Sequence, residues 1–182
     1  IGVVAAVSSS AEAATFVVTN TGTGSGGGTL RRAINSANST AGADTIVFNV
    51  PTSDAGYSAA RGVFTFRVTN ALAQITESVV IDGATQTVFT GNTNAGQLGA
   101  GGSVGTTPLT LSRVNRPEIE IVDGNSLALG FDINASNVTI RNLAIYGFGN
   151  GSNSDGDANI RIGNNQTGTL IESCIIGTLA TS

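Results

Sequence analysis

The sequence predicts an all-β fold: a parallel β-helix, or solenoid, with a short N-terminal capping helix. Three observations predict it. Charged residues are only 11% of the 182, while Gly, Thr, Ser and Asn number 25, 23, 17 and 17. That composition suits pleated strands joined by tight polar turns. In the second half, apolar segments of three to five residues are separated by one or two small polar residues. Those segments also repeat. Phe131-Asp132-Ile133 is echoed by Ile160-Arg161-Ile162 at an offset of 29, and residues 138–145 by 169–176 at an offset of 31. A strand, a polar corner, a strand, a one-residue kink and a third strand make one turn of such a solenoid.

The elements follow in order. Residues 15–19 alternate and are β-branched, which predicts a strand. Residues 20–28 are a Gly/Ser/Thr loop. Thr29 is placed to cap a helix whose apolar residues Leu30, Ala33, Ile34 and Ala37 share one face. Residues 45–50 are a strand stopped by Pro51. In residues 63–68, Phe64, Phe66 and Val68 share a face. Residues 78–81 are a strand ending at Asp82-Gly83, and residues 84–107 are expected to be a long polar loop. Strands follow at 109–111 and 118–122, then the repeated segments. The chain divides into residues 1–13, a cap module at 14–50 and stacked strands at 51–182.

The repeat fixes a register that chemistry can check. Parallel in-register stacking sets equivalent residues about 4.8 Å apart. Asp132 then lies beside Arg161, and Arg141 beside Glu172, opposite charges at outward positions. Inward positions match apolar with apolar: Ile140 with Ile171, Leu143 with Cys174, Ile145 with Ile176. Asn142 matches Ser173 at the kink.

Thr15-Phe-Val-Val-Thr-Asn20, Gly28-Thr-Leu-Arg-Arg-Ala-Ile34 and Gly42-Ala-Asp-Thr-Ile-Val-Phe-Asn49 resemble the N-terminal module of bacterial secreted and cell-surface β-helix proteins, which carry a C-S-L-R-E-A-I-like motif. Ile75-Thr-Glu-Ser-Val-Val-Ile-Asp-Gly83, Asn137-Val-Thr-Ile-Arg-Asn-Leu143 and Leu170-Ile-Glu-Ser-Cys-Ile-Ile-Gly-Thr178 resemble that family too. The resemblance implies a right-handed winding, export, and a cell-surface or extracellular-matrix location. It implies no single reaction. Gly28 stands where the family has Cys, and Arg32 where it has Glu.

The absences exclude chemistry. Without His, a Ser-His-Asp or Cys-His triad and a His metal site are excluded. All eight basic residues are Arg, so Schiff-base lysines and a P-loop lysine are excluded as well. Cys174 is the only cysteine, which rules out an internal disulfide. A net charge of −4 argues against nucleic acid as a partner. No apolar run is long enough for a transmembrane span. The glycine runs at 24–28 and 99–102 lack the strand-to-helix context of a phosphate cradle.

Candidate sites remain. Asn153, Asp155, Asp157 and Asn159 place oxygen ligands at alternate positions. Asp155 and Asp157 are the calcium candidates, with a solvated loop as the competing reading. Glu118, Glu120, Asp123 and Asp132 are the carboxylates available for polysaccharide cleavage. Glu118 and Glu120 alternate with Ile119 and Ile121, which predicts an exposed outer face. Five Asn-x-Ser/Thr sequons occur, at Asn38, Asn134, Asn137, Asn150 and Asn165, and most are expected by chance in a chain of this composition. Cys174 falls at an inward apolar position, as a structural thiol.

The ends decide the functional expectation. The stretch 1–7 is apolar and 11–13 is small, which fits either a signal-peptide remnant or a strand donated to a neighbour. The helix covers the N-terminal side, and no matching plug follows the last strand. Val3, Val4, Val7, Ile175 and Ile176 are therefore the self-association candidates. The expectation is a non-enzymatic, extracellular structural or adhesive protein that joins copies of itself head to tail into filaments by strand addition, or binds cell-surface or matrix components. The alternative is a polysaccharide-binding or polysaccharide-cleaving module.

Overall fold

The computed structural model describes residues 12–99, 102–106, 109–110, 112–152 and 156–181. Strand β1 (Thr15–Val18) leads through helix α1 (Leu30–Ala37) to β2 (Asp44–Phe48). Next come β3 (Tyr57–Ser58), β4 (Val63–Val68), β5 (Val79–Asp82) and a second helix, α2 (Ala84–Thr90). Four two-residue strands follow: β6 (Gln97–Leu98), β7 (Ser103–Val104), β8 (Leu109–Thr110) and β9 (Val114–Asn115). The remainder is β10 (Ile119–Asp123), β11 (Leu129–Ile133), β12 (Thr139–Arg141), β13 (Leu143–Tyr146), β14 (Ala158–Ile162), β15 (Leu170–Glu172) and β16 (Ile175–Ile176).

Among the described residues these strands form five sheets. The first runs β1-β2-β5-β12-β15 and is parallel throughout. The second runs β16-β13-β10-β4-β3, parallel except for antiparallel β3. The third pairs β11 with β14 in parallel, and Ile75 bridges to Ile133. The other two are antiparallel ribbons, β6 with β9 and β7 with β8.

This corrects the expected fold class. The described residues do not form a single all-β right-handed solenoid. They form several separate sheets of two to five strands, some parallel and some mixed, together with two helices. The stretch expected to be a loop at 84–107 departs most. It contains α2 and part of both ribbons. Its Thr-rich sequence has no helical apolar stripe, so periodicity does not mark it. Tertiary hydrogen bonds hold it instead. Gln86 is fully buried; its Nε2 donates to the Val50 carbonyl, and its Oε1 accepts from the Val50 amide.

The first three sheets face one hydrophobic core. Ile46, Phe48, Ile81 and Ile140 enter it from the first sheet; Phe64, Phe66, Ile119, Ile121, Leu143 and Ile145 from the second; Phe131 and Ile133 from the third. The rings of Phe48 and Phe66 meet edge to face, with centroids 5.7 Å apart. Helix α1 closes one side of this core. Thr29 caps it by accepting from the Arg32 amide, and Leu30, Ala33, Ile34 and Ala37 are buried.

The predicted pairings are present: Phe131 with Ile160, Asp132 with Arg161, Ile140 with Ile171, Arg141 with Glu172 and Ile145 with Ile176. The corners between first and second sheets turn at Asn142 (φ 55°), alone between β12 and β13, and at Ser173 (φ 52°), which with Cys174 separates β15 from β16. Both adopt the left-handed conformation, which Asn tolerates better than most residues.

Candidate functional site

Two rows of charge line the outer faces. In the third sheet, Arg161 grips Asp132 with two hydrogen bonds, Nε to Oδ1 at 3.0 Å and Nη2 to Oδ2 at 2.7 Å. Gln74 donates a further bond to Asp132. These contacts, the guanidinium first, hold the Asp132 carboxyl below its ordinary range. In the first sheet, Arg141 lies between two acids. Its Nη2 is 2.6 Å from Asp82 and its Nη1 is 3.7 Å from Glu172. Asp82 is therefore the main partner, and Glu172 is held loosely. All four predicted cross-strand residues stand in the predicted pairs. Asp82 completes the row, which pairwise alignment of the two repeats did not include.

The two glutamates expected on an exposed face are buried. Glu118 is 2% exposed and Glu120 is fully buried. The outer face of the second sheet is covered by the chain itself. Thr87 of α2 hydrogen-bonds to Glu118, and the Ala180 amide donates to Glu120 Oε1 at 2.8 Å. Asn94 ties the cover together by donating to the carbonyls of Pro117 and Ala180. Glu120 pairs with Arg61 and accepts from Thr65, with the Tyr146 hydroxyl 3.5 Å away. Among the described residues, Glu118 Oε1 has no hydrogen-bond partner. Burial pushes its carboxyl above the ordinary range, partly opposed by the Thr87 bond. Neither acid is open to a polymeric substrate. Asp123 is also engaged, accepting from the amides of Asn125 and Leu127.

Among the described residues the core is open beyond the last parallel strands, where β14, β15 and β16 each pair on one side only, with β11, β12 and β13. One layer deeper, Phe131, Ile133, Ile140 and Ile145 are fully buried. In the same register at the edge, Ile162 is 47% exposed and Ile176 50%. Leu170, on the outer face of β15, is 48% exposed. Ile160, Ile171 and Cys174 are half-buried around the same mouth. Burial raises the Cys174 thiol pKa, and its Sγ lies 3.6 Å from the Ile140 carbonyl oxygen.

Ile175 faces outward with Ala144 and is buried against Val63, Ala144 and Ala180, because the chain after β16 folds back over the second sheet. Ile176, one residue on, faces the open mouth. Val3, Val4 and Val7 lie outside the described residues, as does Asp155. Asp157 accepts from the Gly151 amide. Among the described residues, no group of three or more His, Cys, Asp or Glu side chains is placed to hold a metal ion. No described helix is long and apolar enough to cross a membrane.

Comparison of the chain with protein-family models, with curated proteins and with solved structures found no match.

Proposed function

We propose that this chain is an extracellular, non-enzymatic structural or adhesive protein that associates by adding strands to the open edge of β14, β15 and β16. The observation that carries this reading is the change of exposure across one layer. Residues in equivalent positions go from fully buried in β11 and β13 to about half exposed in β14 and β16. Exposed edge strands with apolar residues are templates for further pairing, and soluble proteins ordinarily block them with charge, proline or a covering segment. The carboxylates suited to catalysis are covered or already paired, which also favours a structural role.

Light scattering on the purified protein, beside a Leu170→Lys/Ile176→Lys variant, tests the reading. The native chain is expected to associate. The variant is expected to remain monomeric with an unchanged circular dichroism spectrum. A monomeric native chain, or association that survives both lysines, overturns it.

One observation favours a second reading, polysaccharide binding. Gln74, Asp132, Asn134, Arg161 and Asn164 line a polar hollow beside the third sheet. Calorimetric titration with extended acidic and neutral polysaccharides tests this. Binding lost in Arg161→Gln supports it, and no heat with any of them removes it.

A further inference from the structure

We infer that two copies of this chain join open end to open end, about a two-fold axis that crosses the second sheet. The inference rests on the reading that β14–β16 accept added strands, and it names the occupant. Among the described residues, β14–β16 form the one end with three parallel edges. On the opposite side α1 covers the core, and the second sheet finishes in antiparallel β3. The described residues give a head-to-tail neighbour no matching set of three parallel edges there. The open end does match a second open end, because edges turned about a two-fold axis meet antiparallel.

Three axes are available, one through each sheet, and charge selects among them. At the edge, β14 presents Arg161 and β15 presents Glu172, both outward and both more than two-fifths exposed. β16 carries no charge. An axis through the first sheet sets Glu172 against the partner's Glu172. An axis through the third sets Arg161 against the partner's Arg161. Like charges across a strand pair are destabilising. An axis through the second sheet pairs β16 with its own copy. It lays β14 along the partner's β15, so Arg161 comes beside the partner's Glu172, and the same contact recurs by symmetry. Glu172 has capacity for it, since Arg141 bonds chiefly to Asp82. The apolar mouth formed by Ile160, Ile162, Ile171 and Ile176 is buried in the same step.

Sedimentation velocity tests the arrangement. The native chain is expected to be a dimer. Arg161→Glu alone and Glu172→Arg alone are expected to be monomers. An equimolar mixture of the two is expected to dimerise, because each contact then joins opposite charges. Within one chain, Arg161→Glu faces Asp132 and Glu172→Arg faces Arg141, so a purely intramolecular role predicts no recovery on mixing. Should either reversal impair folding, Arg161→Gln and Glu172→Gln are each expected to weaken the dimer about tenfold, since every contact occurs twice. Deleting residues 1–11 is expected to leave the dimer intact. Failure of the mixture to dimerise, no weakening by the Gln variants, or loss of the dimer on that deletion overturns the inference. Open-ended polymers overturn the two-fold arrangement but leave strand addition standing. A native monomer overturns both.

Discussion

Two glutamates two residues apart have opposite electrostatic fates. Glu120 has Arg61, Thr65 and the Ala180 amide around it. Removing one member of a buried ion pair strands the other, so Arg61→Ala is expected to cost about 3 kcal/mol, read from urea unfolding. Glu118 has Thr87 and an unpartnered oxygen. Its folded pKa is raised, so the native state holds its proton more tightly than the unfolded chain. Its contribution is complete below the unfolded value of about 4.3 and is lost as pH rises through the folded value. Glu118→Gln is therefore expected to raise the melting temperature at neutral pH and to flatten its dependence on pH above that point. Asp132 runs the other way. Its folded pKa is lowered, so its stabilisation is present above about pH 4 and is lost as acid titrates the Arg161 pair. Asp132→Asn is expected to lower the melting temperature at neutral pH and to remove that component of the acid loss.

At the scale of elements, α1 was legible and α2 was not. The four apolar residues of α1 fall on one face behind a threonine cap, and Thr29→Ala is expected to cost about 1 kcal/mol in thermal unfolding. The positions of β4, β10 and the strands after Leu129 were legible because alternation and the repeat both mark them. The covering of the second sheet was not. It depends on Gln86, Asn94 and Ala180 meeting groups 23 to 86 residues away, and local pattern carries no trace of such contacts. That is why Glu118 and Glu120 read as exposed. Gly28 has a structural reason. Its φ is 73°, and a side chain there would strike the Thr19 hydroxyl. Gly28→Ala is expected to lower stability by at least about 1 kcal/mol, measured by denaturant midpoint.

For the whole molecule, the register of the parallel strands was legible, and the division into separate sheets with interposed antiparallel ribbons was not. The repeat reports which segments lie side by side, whereas sheet boundaries depend on how the inserted residues 84–115 pack. The open edge at β14–β16 is the feature from which the functional reading comes. In the Leu170→Lys/Ile176→Lys variant, amides of β14–β16 are expected to exchange with solvent faster than those of β2, β4 and β10. Under the proposed association that difference is expected to shrink in the native chain, which hydrogen-exchange mass spectrometry measures.

The order of strands within the sheets has a further consequence. In the first sheet it runs β1, β2, β5, β12, β15, and in the second β3, β4, β10, β13, β16, in both cases the order of synthesis. Each new segment therefore docks on a neighbour made before it, and none has to be threaded between two already in place. A nascent polypeptide leaving a ribosome can settle as it emerges, with its growing face always the most recent addition.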